Sequence, residues 1–199
     1  AMHLTQRSKG FLLGVFAAAM YGLNPLFVLP LYKAGVGMVS ILTFRSLFAI
    51  CLLAMLMRAR RLSFSVSRPE LAPLFWLGML FTASALCLYE GYRYLDVGIA
   101  STLLFVYPVF VAMISALFLK ERLPALTVLA IALSFAGILL LYRNGNGDSL
   151  NLFGILLVAF SALAYAVFIV LVNSSSVRNF PTVKLVFYSL IFGLPILLV

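Results

Sequence analysis

Gly10-Phe-Leu-Leu-Gly-Val-Phe-Ala-Ala-Ala-Met-Tyr21 returns 144 residues later as Gly154-Ile-Leu-Leu-Val-Ala-Phe-Ser-Ala-Leu-Ala-Tyr165. Leu and Ala are common in the chain, but the matches also include Gly10 with Gly154, Phe16 with Phe160 and Tyr21 with Tyr165. With a one-residue adjustment, Phe44-Arg-Ser-Leu47 falls on Phe187-Tyr-Ser-Leu190, so a second segment finds its counterpart. Both copies are apolar almost throughout. The repeat and the solvent it implies together decide the fold.

The 199 residues are 65% apolar and only 10% charged. Soluble domains run nearer half apolar and about a quarter charged, so the solvent is a bilayer. Seven apolar runs are long enough, or nearly so, for the ~20 residues that a spanning helix needs: 11–32, 36–57, 71–92, 97–119, 123–142, 152–173, and one that starts near Thr182 and reaches Val199. Hydrocarbon offers no partner to backbone N–H and C=O groups, and the alternation of a membrane strand is absent, so each run is predicted helical. The first run continues well past Ala17-Ala18-Ala19, too far for the apolar part of a cleaved signal peptide, and is read as a retained helix. The predicted class is an all-α polytopic membrane helix bundle.

Five runs precede the second copy. An odd number returns the chain to the membrane from the opposite side, so the repeat is inverted, an arrangement associated with secondary transporters. Residues 1–143 are expected to form one five-helix repeat and residues 144–199 the start of a second. Leu185–Val199 is shorter than a span, and the sequence is expected to be a fragment of a chain with further helices, or one completed by a second chain.

Fourteen Lys and Arg against five Asp and Glu give +9. In a soluble protein that excess would point to nucleic acid; here it orients loops. Arg7 and Lys9, then Arg58, Arg60, Arg61 and Arg68, then Lys120 and Arg122, then Arg178 and Lys184 all fall on one side of the predicted topology. Only Lys33, Arg93 and Arg143 fall on the other. The N-terminus is therefore expected in the cytoplasm, and no nucleic-acid partner is expected. Cys51 and Cys87 lie inside apolar runs and read as packing residues.

Further motifs carry a family resemblance. They are Gly14 with Tyr21-Gly22-Leu23-Asn24-Pro25, Arg45, Tyr92-Arg-Tyr-Leu-Asp-Val-Gly-Ile-Ala100, Tyr107-Pro108-Val109-Phe110 and Leu119-Lys-Glu-Arg-Leu123. With these the sequence resembles the drug/metabolite transporter superfamily, specifically the EamA-like ten-helix permeases, which include aromatic amino-acid exporters of the YddG kind. The resemblance implies two five-helix bundles, both termini cytoplasmic, and a central cavity lined by the first, third and fourth helices and their mates. It implies export of amino acids, other metabolites or toxic cations across a bacterial inner membrane. The expected partners are a small organic solute and the lipid bilayer. A scaffold or subunit that does not itself transport is the alternative.

Polar groups within spans are costly and hence functional by default. Tyr21 and Asn24 share a helix face beside Pro25, which removes a backbone donor and kinks the helix; they line a cavity, or Asn24 caps the kink. Tyr165 follows as the mate of Tyr21. Arg45, read as lying near mid-bilayer, anchors a substrate carboxylate or packs against carbonyls or an acid of a neighbouring helix. Thr82, Tyr89 and Arg93 fall on one stripe of the third helix. Glu90 is either a proton-coupling carboxylate or the i, i+3 partner of Arg93. Tyr107 is a binding candidate, and Pro108 gives the fourth helix a hinge or a fixed kink. Lys120, Glu121 and Arg122 form a salt-bridged turn or a gate.

Enzymatic readings fail on residue inventory. The one histidine, His3, lies in the tail, so no Ser-His pair or His-rich metal site forms in the membrane. No carboxylate dyad and no phosphate-binding Gly-Lys-Ser/Thr loop occurs. No catalytic residue, metal or cofactor is expected.

Overall fold

A computed structural model describes residues 6–118, 129, 132–133, 136–137 and 151–198. The expected fifth span, 123–142, and the turn at Lys120, Glu121 and Arg122 lie outside the described residues, apart from isolated positions. All regular structure among the described residues is helical. The chain divides into two compact units, Ala1–Gly37 and Met38–Val199.

The first unit is one helix, α1 (Gln6–Lys33), apolar and long enough to cross a membrane from Gly10 onward. It ends because Gly35 takes a left-handed φ of 79°, where a side chain would be strained. The Gly35 and Val36 N–H groups then bond the carbonyls of Tyr32 and Leu31, closing the last turn.

The second unit contains α2 (Met38–Ala59), α3 (Arg68–Gly91), α4 (Val97–Leu104), α5 (Tyr107–Phe118), α6 (Leu152–Ser174) and α7 (Thr182–Leu197). Starts are set by local chemistry. Glu70 reaches back to accept the Ser67 N–H at 2.7 Å, and the Asp96 carboxylate accepts the Gly98 N–H at 2.8 Å. Asn151 Oδ1 accepts the Phe153 N–H at 2.9 Å. Each satisfies a donor that the first helical turn leaves unpaired.

The expected fourth helix, 97–119, is instead two helices. Pro108 has no N–H to offer the Leu104 carbonyl, and the chain tightens into three-residue bonds, Phe105 to Thr102 and Val106 to Leu103, both 3.1 Å. Together the two segments, Val97–Phe118, still make a span.

Residue contacts fix the directions. Gly154 approaches Tyr94 and Leu95, while Phe81 meets Phe168, so α6 runs antiparallel to α3. Lys184 at the start of α7 reaches Ser65 just before α3, and Gly193 lies against Thr82 further along, so α7 runs parallel to α3. The loops 60–67 and 175–181 consequently share one end, with Arg58, Arg60, Arg61, Arg68, Arg178 and Lys184. We call it the basic end. Helices α2 and α7, which the sequence offset equates, run in opposite directions, and their matched serines Ser46 and Ser189 are both buried.

Apolar side chains cover the outside as well as the interior, where Leu74, Leu77, Phe168, Val177 and Leu185 pack together. Phe44, Phe48, Leu52 and Met55 form an exposed stripe on α2, as do Leu152, Leu156 and Phe160 on α6. The interior crossings use small residues. A Cβ on Gly91 would meet Val158 at 2.7 Å, one on Gly154 would meet Leu95 at 2.8 Å, and one on Gly193 would overlap Thr82 Oγ1. Small residues let helices approach closely where lipid supplies no hydrophobic drive between them.

Candidate functional site

The seam between α5 and α6 is built from parallel helices that carry matching stripes. Tyr107 on α5 and Tyr165 on α6 meet edge to face, ring centroids 4.9 Å apart, a favourable aromatic geometry. Tyr165 in turn stacks on Phe168 at 5.8 Å. One turn on, Val111 and Ser115 continue the α5 stripe, and Val170, Asn173 and Ser174 continue that of α6. With Ser175 and Arg178 they line an open cavity of about 750 Å³ toward the basic end. Two apolar walls, three hydroxyls, an amide and a guanidinium surround enough space for a small organic molecule, whose sites usually measure about 300–1,000 Å³.

The other sequence-predicted residues are distributed elsewhere. Arg45 lies seven residues past the start of α2, about 10 Å along its axis. Its partner is neither a carbonyl nor an acid: Nη1 donates to the Tyr89 hydroxyl at 2.6 Å, and Cζ lies 5.6 Å from the Tyr89 ring centroid. Tyr89 is fully buried, with its ring against Tyr92 at 5.5 Å. Glu90 and Arg93 form an ion pair at 3.0 Å at the surface. Thr82 is buried where α3 crosses α7, against Gly193, so Thr82 and Tyr89 turn to different neighbours and the expected common stripe is not a single wall. Tyr21, Asn24 and Pro25 belong to α1, in the first unit. Pro108 stands just after the α4–α5 interruption.

Three features were not singled out from the sequence. The Ser84 hydroxyl bonds the Ser161 carbonyl at 2.9 Å, and the Ser161 hydroxyl bonds the Ser84 carbonyl at 2.7 Å, deep between α3 and α6. Lys184, read as a topology charge, is 8% exposed. Its Nζ donates to the Ser65 carbonyl at 2.5 Å and lies 4.5 Å from the Phe180 ring centroid. Beside it the Tyr188 hydroxyl donates to the Phe64 carbonyl, and the Phe64 ring meets Phe187 at 5.8 Å. Arg178 and Asn173 were likewise unmarked as cavity residues. No group of His, Cys, Asp or Glu suited to a metal occurs among the described residues.

A bundle with an apolar exterior and with glycine and serine at its helix crossings defines a polytopic membrane protein. Comparison with known sequences carries this to a family: the EamA-like transporter family matches residues 8–143, and the chain belongs to it. A segment of 78 residues is 33% identical to an uncharacterized transporter of Archaeoglobus fulgidus, covering 39% of this chain and 27% of that protein. Another, of 76 residues, is 33% identical to the uncharacterized transporter YvbV of Bacillus subtilis, covering 38% of this chain and 25% of that protein. The matches thus span about a quarter of each relative's length. No solved structure matches.

Proposed function

We propose that the protein acts as a secondary exporter of small organic metabolites such as amino acids, working by alternating access in a bacterial inner membrane with its N-terminus cytoplasmic. The carrying observation is the Tyr107–Tyr165 pair on the α5–α6 seam, one turn of α5 before Val111, where the lining of the cavity begins. The two rings come from segments assigned to different repeats, 1–143 and 144–199, and an interface between repeats is where such transporters bind their cargo. The opposite directions of α2 and α7 support the inverted reading. In this reading the remaining helices of the second repeat, or a second chain, complete the pocket, and Tyr21 and Asn24 on α1 contribute to it.

Each part has a task. The phenol edges and faces grip an apolar or aromatic side chain, while Ser115, Asn173 and Arg178 offer hydrogen bonds and positive charge to a polar head. The interruption before Pro108 supplies the hinge, since the tight turns at Phe105 and Val106 already depart from α-helical bonding. The work is binding and rocking, with no covalent step. The concentration of Arg and Lys at the basic end supports its cytoplasmic placement, so the cavity faces the compartment from which an exporter loads.

The test is efflux of labelled amino acids from proteoliposomes containing the protein. Tyr107→Ala and Tyr165→Ala are each expected to lower transport about tenfold or more, as loss of an aromatic contact in a binding pocket does; normal flux in both variants overturns the assignment. Cysteine labelling placed next to Arg60 is expected from the cytoplasmic side only, and labelling from outside inverts the topology.

A further inference from the structure

Arg45 lies well inside the apolar span of α2, and no acid answers its charge among the described residues. It lies within an apolar span, about 10 Å from the start of α2. It is exposed, next to Phe44 and close to Phe48, which are 61% and 75% exposed on the outer stripe. A guanidinium there is expensive unless an anion or water meets it. Among the described residues the only ion pair is that of Arg93 with Glu90. The other described acids are engaged by backbone: Glu70 by Ser67 and Asp96 by Gly98. Glu121 and Asp148 lie outside the described residues. The Tyr89 hydroxyl accepts one bond from Arg45 but carries no charge.

The group is also held in place. Tyr89 is 1% exposed and its ring rests on Tyr92, so the phenol that receives Nη1 has little freedom. A guanidinium fixed at one nitrogen presents the rest of its planar fork in a set direction, the geometry that receives a two-oxygen anion. Lys184 makes the contrast: a cation of the same bundle that is buried and satisfied by a carbonyl and a ring.

We propose that Arg45, positioned by Tyr89, anchors a binding site for an oxyanion at the end of the bundle away from the basic loops. The phosphate of a lipid headgroup and the carboxylate of a soluble anion share the required chemistry. The site is independent of the α5–α6 cavity and stands or falls without it.

The experiment uses the full chain in detergent with two probes, phosphatidylglycerol followed by native mass spectrometry and benzoate followed by thermal shift, each against phosphatidylcholine or buffer. Arg45→Gln is expected to weaken retention of the bound probe about tenfold, and Arg45→Lys to fall between that and the wild type because it keeps charge and loses the fork. Loss confined to phosphatidylglycerol assigns the site to a headgroup, and loss confined to benzoate assigns it to a soluble carboxylate. If neither probe distinguishes Arg45→Gln from the wild type, the proposal is overturned. Should Arg45→Gln not fold, Tyr89→Phe retains the charge and removes the acceptor; about threefold weaker binding is expected, and unchanged binding again overturns the site.

Discussion

The two ends of the second unit are fastened in different ways. At the basic end, side chains of α7 reach across to main-chain carbonyls of the loop 60–67: Lys184 to Ser65 and Tyr188 to Phe64, with Phe187 against the Phe64 ring. These ties join segments more than a hundred residues apart. At the far end the polar contacts, Arg45 with Tyr89 and Glu90 with Arg93, join residues no more than 44 apart. What crosses to α6 there is an aromatic edge, Tyr94 on Phe153 at 5.1 Å, and the approach of Gly154. The basic end is therefore clamped by long-range directional bonds from α7, whereas at the far end α6 meets its neighbours by shape. A structure clamped at one end and merely fitted at the other opens more easily where it is fitted.

The sharpest way to break this comparison acts between the ends, where both depend on the same crossing. Gly193→Ala sets a methyl against Thr82 and must push α7 off α3; a loss of roughly 3 kcal/mol or more is expected, read as a collapse of thermal stability in detergent. Lys184→Met tests the clamp itself. It removes a charged hydrogen bond worth about 1.5–3 kcal/mol, and hydrogen exchange is expected to quicken in residues 60–67 while 92–96 stay as they were. Equal quickening at both ends dissolves the distinction. Ser84→Ala and Ser161→Ala are expected to cost about 1 kcal/mol each, with a coupling of about 0.6 kcal/mol or more in the double-mutant cycle; strict additivity removes the pair as a unit. The smallest effect belongs to Glu90→Gln. Arg93 is 64% exposed, so the pair is worth at most about 0.5 kcal/mol, and the pH profile of flux is expected to be unchanged. A lost pH dependence makes Glu90 a coupling group instead.

Much of the bundle was legible because a bilayer demands long apolar runs, and α1, α2, α3 and α6 fall within a few residues of the expected spans. Pro108 marked a disturbance in the fourth run, but whether a proline bends a helix or splits it depends on what its neighbours' N–H groups find, and that is a tertiary outcome. The Tyr107–Tyr165 contact joins two tyrosines singled out separately, one by its place beside Pro108 and one by the repeat. Ser84 and Ser161 left no mark, since a serine that satisfies a partner looks in sequence like any small residue at a helix crossing. Lys184 was misleading for a related reason: counting charges orients loops but does not reveal which cation turns inward. Arg45 stands out in sequence as a costly charge within a span, while its phenolic partner emerges only once α2 and α3 are set side by side.

The reciprocal serine bonds have a mechanical meaning for any motion of this bundle. Sliding α6 along α3 by a single turn would strand two hydroxyls together in a dry interior, whereas a change of crossing angle leaves both bonds near their present lengths. The pair therefore behaves as a pivot: α3 and α6 are free to tilt about it and barred from gliding past it.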